Sequence, residues 1–284
     1  MENTQSKSMR YTIERGGLRF ESPLFDIDKT FGCGQAFRFQ KQQDGSTSGI
    51  AFGKELTLVN EGRYVFLPGV SELDFLNVWA EFLSLDEDYS MMNAQIAGEE
   101  SLDKAIEFGA GIRILKQDPW EATISFIISQ NNNIPRISKT IEKLCYSYSE
   151  AGIFPSSEDI VQGGKGKLEE MGLGYRDSYV FSAAQMHYDG MLDFEAISHM
   201  ATNDARSRLM QLKGIGPKVA DCILLFSLGK TDACPHDVWM KRALSSLYGL
   251  SGKDAAIYVE QNWGKYAGLA QQYLFYAYRE GLFS

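Results

Sequence analysis

The segment Leu212–Cys222, LKGIGPKVADC, leaves the chain few conformations. An amphipathic run, Asp204 to Leu212, stops at Lys213-Gly214-Ile215-Gly216, and an apolar run, Val219 to Leu228, begins directly afterwards. Two helices joined by so short a turn form a hairpin. Gly214 and Gly216 permit positive φ and bring bare backbone close to a partner, and Pro217 suits the first helical turn, where its missing N–H costs nothing. The backbone N–H groups at the start of the second helix make an anion site. Phosphates of a nucleic-acid strand are its natural occupants, read without sequence preference, and Lys213 adds positive charge beside them. A bare GxG is more often an ordinary connection between packed helices, so the functional reading depends on the residues just beyond the turn.

The first of these is Lys218, in the first turn of the second helix, where the helix dipole disfavours a cation. An amine pushed toward its neutral form is a nucleophile for carbon electrophiles, the chemistry of lysine Schiff bases. Cys222 lies four residues on, along the same helical face, a spacing that permits an ammonium–thiolate pair. Nineteen residues after Lys218, in CPHDVWMK, Asp237 begins the next helix, whose apolar stripe is Val238, Met240, Ala243 and Leu244. Taken singly, Lys218 reads as a solvated helix residue and Asp237 as a plain N-cap. Together they place an amine and a carboxylate beside a phosphate-gripping turn.

These residues resemble the helix-hairpin-helix Gly/Pro-Asp superfamily of DNA base-excision glycosylases, and within it the 8-oxoguanine DNA glycosylase and AP lyase. Further matching blocks are GQAFRF at Gly34–Phe39, QDPWEATISFIISQNNNIPRI at Gln117–Ile137, LGYR at Leu173–Arg176 and WGKYAGLAQQYLF at Trp263–Phe275. The resemblance implies that Lys218 attacks the deoxyribose of a flipped-out nucleotide, Asp237 stabilises the charge that develops there, and β-elimination then nicks the strand. It implies that Cys222 and Phe275 sandwich the damaged purine, that Gln271 reads its pairing edge, and that the backbone carbonyl of Gly34 accepts the hydrogen that oxidised guanine carries on its five-membered ring. It further implies that Asn131 fills the gap left by the base, while Arg136 and Arg176 hold the orphaned cytosine with Tyr175 wedging beside it. The implied partner is double-stranded DNA with 8-oxoguanine opposite cytosine, and no cofactor is implied. The sequence departs from the family at Trp239, where animal members often carry a phosphate-holding histidine, and at Phe226, where some relatives have a methionine. Rival readings are a relative acting on alkylated or mismatched bases, usually with aspartate alone, and a binder that keeps the hairpin without the chemistry; Lys218 argues against a purely aspartate-driven form, and Lys218 with Asp237 argues against the binder.

Composition limits these readings. With 28 basic and 37 acidic residues the net charge is −9, against the basic surface expected of a DNA binder. Distribution matters more than the sum: Arg136, Lys139, Arg176, Lys213, Lys218, Lys241 and Arg242 fall in or beside the matching blocks. Four cysteines, Cys33, Cys145, Cys222 and Cys234, show no CxxC pairing or cluster, which argues against an iron–sulfur centre, and Cys234 with His236 lacks the second pair a metal site needs. No apolar span reaches membrane length, and the polar start, MENTQSKSMRYTIERGG, lacks a signal-peptide core. A cytoplasmic, DNA-associated monomer is expected.

The fold expected is α+β. Ala36–Gln42, Ser48–Phe52, Glu55–Val59 and Arg63–Leu67 read as strands of a small antiparallel sheet, with turns at Asp44-Gly45 and Glu61-Gly62. From Glu72 the period moves toward 3.6. Asp118 before Pro119 reads as an N-cap opening a long buried helix, which sets an N-terminal sheet domain, 1–117, against a helical domain, 118–284. Gly163, Gly164 and Gly166, with Lys165 and Lys167, read as a flexible linker between helices.

Overall fold

A computed structural model describes residues 10–21 and 23–283. The chain forms two compact units, one built from residues up to Lys116 and again from Gln272 onward, the other from Gln117–Gln271.

The first unit carries a six-stranded antiparallel sheet in the order β1-β2-β6-β5-β4-β3. Its strands are β1 (Tyr11–Glu14), β2 (Gly17–Glu21), β3 (Phe39–Lys41), β4 (Thr47–Ala51), β5 (Lys54–Glu61) and β6 (Tyr64–Pro68). The four expected strands are present, although Ala36 to Arg38 precede β3 as buried loop rather than strand. Two more were missed: β1 lies within the polar start of the chain, and β2 begins at its last residue, Gly17. Their alternation, YTIE then GLRFE, turns at Arg15-Gly16, and Gly16 takes φ +99. The first nine residues of that polar start lie outside the described residues.

Alternation decides which face is buried. Leu18 and Phe20 of β2, Leu56 and Leu58 of β5, and Val65 and Leu67 of β6 enter one core with Ile27, Phe31, Phe75, Trp79 and Phe82. The last five come from α1 (Ile27–Gly32) and from the run α2 (Glu72–Asp74), a π-helical turn (Phe75–Trp79) and α3 (Ala80–Phe82). Each fully buried Leu, Val or Phe contributes about 1.5–3 kcal/mol, so this core holds the sheet without metal or disulfide. Two further helices, α4 (Tyr89–Ile96) and α5 (Glu100–Phe108), complete the unit's N-terminal part.

The second unit is helical: α6 (Pro119–Ser129), α7 (Ile134–Tyr148), α8 (Ser157–Glu169), α9 (Arg176–Tyr188), α10 (Phe194–His199), α11 (Thr202–Leu209), α12 (Pro217–Ser227), α13 (Val238–Tyr248), α14 (Gly252–Asn262) and the start of α15 (Ala267–Arg279). Asp118 caps α6 as expected, accepting from the Glu121 N–H at 2.8 Å, with Pro119 at the first helical position. The glycine-rich 163–166 stretch is a kink between two helical segments, taken together as α8, that meet at Gly164 (φ 73, ψ 163); Ser156 and Asp159 close a capping box at the start of the first, and Lys167 of the second stacks on the Tyr148 ring at 3.8 Å.

The division also differs at the C-terminus, where residues from Gln272 onward group with the sheet unit. Gln272 Nε2 donates to the Cys33 carbonyl at 3.0 Å, Tyr273 Oη to Asn93 Oδ1 at 3.0 Å, and Arg279 Nη2 to the Gly32 carbonyl at 2.8 Å. Such pairings are non-local and leave no periodic trace.

Candidate active site

The hairpin forms as the sequence requires, but its two glycines have different tasks. Gly214 takes φ +84, and a Cβ there would lie 2.2 Å from the Tyr179 ring. Gly216 takes φ −94 and so does not use the positive φ that glycine permits. As N-cap of α12 it has nothing within 4 Å of an added Cβ, and its face is open. Beyond it, the first N–H groups of α12 have no intrahelical acceptor. Lys213 is exposed, with Nζ 6.0 Å from the Tyr179 ring centre.

Lys218 and Asp237 both lie in this unit, near enough for the charge of Lys218 to act on the Asp237 carboxyl. Asp237 caps α13, its carboxylate accepting from the Met240 N–H at 2.7 Å. Burial raises its pKa above the ordinary carboxylate value, while the bonds from backbone N–H groups and the charge of Lys218 pull it back. Cys222 sits between them electrostatically: burial pushes its thiol up to about 11, although the charge of Lys218 and its hydrogen bond act the other way. Desolvation wins, so Cys222 is a thiol near neutral pH. Burial thus works against the thiolate half of the pair that the spacing allows. Lys218 Nζ lies 5.9 Å from the centre of the Phe126 ring, which stacks on Phe226 at 5.6 Å.

Lys218 also borders a cleft of about 860 Å³, with Arg206, Asp221, His236, Lys241 and Lys265 among its walls. Asp221, one turn after Lys218, is buried and paired with Arg206 across the hairpin at 2.5 Å. Burial raises its pKa to about 6 in spite of that partner. The His236 pKa is lowered, first by burial and then by the charges of Lys241 and Arg206.

Gln271 is buried, and its Oε1 has no hydrogen-bond partner. Leaving such an acceptor unmet costs about 1–3 kcal/mol. Gly34 and Phe275 belong to the sheet unit. Gly34 turns with φ +82 between two fixed neighbours. The Cys33 carbonyl accepts from Gln272, and Gln35 is tied to the Thr30 and Arg113 carbonyls at 2.9 and 2.7 Å and to the Leu115 N–H at 2.8 Å. The guanidinium of Arg279 lies 5.5 Å from the centre of the Phe275 ring.

Asn131, Tyr175 and Arg176 form one cluster in the helical unit. Asn131, two residues past the end of the buried helix α6, takes φ +49, one of three non-glycine residues at positive φ among those described. Its amide donates to Tyr175 Oη at 3.0 Å, and Arg176 stacks on the Tyr175 ring at 4.7 Å. Arg136, in the first turn of α7, is exposed, and its guanidinium has no partner among the described residues. Trp239 is 38% exposed and stacks with Arg242 at 5.4 Å.

Sequence reasoning missed Phe126, Tyr179 and the Arg206–Asp221 pair. Tyr179 is 35 positions before the glycine it packs against (214 less 179) and gave no local signal. Asp221 was visible in VADC, yet only its burial distinguishes it from a surface acid.

Family models match the two parts of the chain in order. Residues 18–123 match the N-terminal domain of 8-oxoguanine DNA glycosylase, and residues 124–267 match the HhH-GPD superfamily base excision DNA repair protein model. The chain belongs to the HhH-GPD superfamily. It is 34% identical to the Clostridium acetobutylicum 8-oxoguanine glycosylase/lyase, solved with double-stranded DNA containing cytosine opposite 8-oxoG; the TM-score is 0.89 over 97% of this chain and 99% of that one. It is 31% identical over 216 residues to the probable N-glycosylase/DNA lyase of Methanothermobacter thermautotrophicus, covering 65% of this chain and 69% of that protein. The N-glycosylase/DNA lyase OGG1 of Arabidopsis thaliana is 33% identical over 72% of this chain, which spans 60% of that protein. Family membership rests on these matches together with the hairpin. Among the described residues, no helix is long and apolar enough to cross a membrane, and no group of three or more His, Cys, Asp or Glu side chains could hold a metal ion.

Proposed function

We propose that this protein excises 8-oxoguanine opposite cytosine from duplex DNA and nicks the strand at the resulting site. What supports the reading is that Lys218 and Asp237 stand at the starts of successive helices, beside an open-faced hairpin, with the charge of Lys218 felt at the Asp237 carboxyl. The hairpin N–H groups, with Gly214, Gly216 and Lys213, hold the phosphates. Because the reacting sugar carbon is inaccessible in a stacked duplex, the nucleotide is flipped out. Asn131 fills the gap with Tyr175 wedged beside it, and Arg136 and Arg176 contact the orphaned cytosine.

The Lys218 nitrogen lone pair attacks C1′ as the C1′–N9 bond breaks, its electrons leaving with the base, which takes up a proton. Asp237 offsets the positive charge developing on the sugar. Opening of the C1′–O4′ bond gives the imine, which acidifies the C2′ proton; its removal expels the 3′ phosphate by β-elimination. In the base site, the unmet Oε1 of Gln271 suits the N1–H on the pairing edge of a guanine. Cys222 and Phe275 are the plates. The Gly34 carbonyl accepts the N7–H of the oxidised base, and normal guanine, with a lone pair there, is rejected by about 1–3 kcal/mol. No cofactor takes part in these steps, and the protein acts as a cytoplasmic monomer on DNA.

Borohydride trapping on duplex DNA with 8-oxoguanine opposite cytosine tests this. A covalent protein–DNA adduct is expected, and Lys218→Gln should abolish it. No adduct with the unmutated protein would leave a DNA binder; adducts on alkylated or mismatched bases alone would shift the substrate class.

A further inference from the structure

We propose that His236 is the base of the strand-nicking step, taking the C2′ proton of the imine that Lys218 forms with the sugar. The inference rests on the reading that Lys218 forms that imine. His236 and Lys218 are walls of one cleft and come to it from successive elements, Lys218 from the first turn of α12 and His236 from the residue before the Asp237 cap of α13. β-Elimination needs a proton acceptor beside the sugar, and the carboxylates here have other tasks. Asp221 holds Arg206 across the hairpin, and Asp232 accepts from Thr202 Oγ1 at 2.7 Å. Asp237 caps α13, and Glu260 is exposed on α14. The His236 ring makes no hydrogen bond among the described residues, so its lone pair is unclaimed.

The surroundings keep that lone pair available. Burial disfavours the imidazolium, Lys241 of α13 and Arg206 of α11 repel it, and Asp237 beside it acts the other way. Lys218 and Asp221 of α12, Asp232, Glu260 and Lys265 complete the charged groups of the cleft. A pKa below the ordinary 6.5 leaves the ring mostly neutral at neutral pH, ready to accept a proton. In the step itself the C2′ proton passes to the imidazole, and the electron pair it leaves behind forms the C2′–C3′ double bond. The C3′–O bond breaks, its pair departing with the phosphate, and the imidazolium then gives its proton to water. Lys241 and Lys265, both exposed at the cleft, offer positive charge to the departing phosphate.

The test uses duplex DNA that already carries an abasic site, so no damaged base has to be excised. Borohydride trapping reads imine formation, and strand cleavage without borohydride reads nicking. His236→Gln should leave the trapping rate within about twofold and slow nicking by about 10²-fold, the lower end of the range for a general base. Nicking by the unmutated protein should fall on acidification with a midpoint below 6.5, and His236→Gln should lack that limb. In His236→Ala, which leaves a gap where the ring stood, added imidazole should restore nicking without changing trapping. Unchanged nicking in His236→Gln, an equal loss of trapping and nicking, or nicking that imidazole does not restore would each overturn the proposal. No adduct from the unmutated protein would remove the imine, and the proposal with it. Failure to excise 8-oxoguanine would count against the substrate reading alone.

Discussion

The hairpin end of the helical unit and the turn at Asn131 solve opposite problems. Around Lys218 the working groups are withdrawn from water: Cys222 is fully enclosed, and the Asp237 and Asp221 carboxyls are pushed up by burial. Around Asn131 they are exposed, and order comes from backbone carbonyls held by Arg176. The contrast teaches that bond-making chemistry gains from desolvation, which strengthens every charge interaction. A group that must enter another molecule has to stay outside and be stiffened by its own backbone.

Asp237→Asn breaks the comparison most directly. Asparagine is as good an N-cap as aspartate, so α13 should stay intact while single-turnover excision falls about 10²–10³-fold, the loss expected when one charge-stabilising group is removed. The raised carboxyl pKa also sets a sign. Excision that needs the ionised form should fail on acidification at a pH above the ordinary aspartate value of 3.8, and a rate constant down to that value would refute the assignment.

Next in size is the glycine pair. Gly214→Ala meets both positive φ and the Tyr179 ring, and should lower stability by about 1–3 kcal/mol in denaturant titration. Gly216→Ala meets neither, so stability should hold within about 0.5 kcal/mol while duplex affinity drops, since the new methyl stands where the strand lies. Equal destabilisation by both would mean the open face is illusory.

Asp221 sharpens the burial side. Its carboxyl is protonated more readily folded than unfolded, so its contribution to stability is greatest at low pH and declines as pH rises from 3.8 through about 6. Unfolding measured across that window should show this decline reduced in Asp221→Asn. Smallest is Asn131→Gly: the left-handed turn is easy for glycine, so stability should change by less than about 0.5 kcal/mol, yet affinity for abasic duplex should fall. A large loss of stability would make Asn131 a structural residue rather than a wedge. Salt addresses both regions, since a chain of net charge −9 that binds through a few basic groups should lose affinity steeply with ionic strength.

The local devices were legible in the sequence because their causes are local. Lys213-Gly-Ile-Gly-Pro217 enforces a hairpin, Asp118-Pro119 starts a helix, Asp237 caps one, and alternation marks the strands β4 to β6. The first two strands were lost because they are short, four and five residues long, and follow a polar start, and at the 163–166 glycines the junction between helical segments narrows to a kink at Gly164.

What the residues determined alone was the α+β class, the hairpin, and an amine and a carboxylate placed nineteen positions apart. Folding decided the rest. Cys222 is a neutral thiol rather than half of an ion pair, the Gln271 acceptor is left unmet, Gly214 is pinned by a distant tyrosine, and Arg176 grips the backbone beside Asn131. Each depends on which groups are shut away from water and which distant atoms become neighbours. Desolvation and non-local contact are properties of the packed chain, and no spacing along it encodes them.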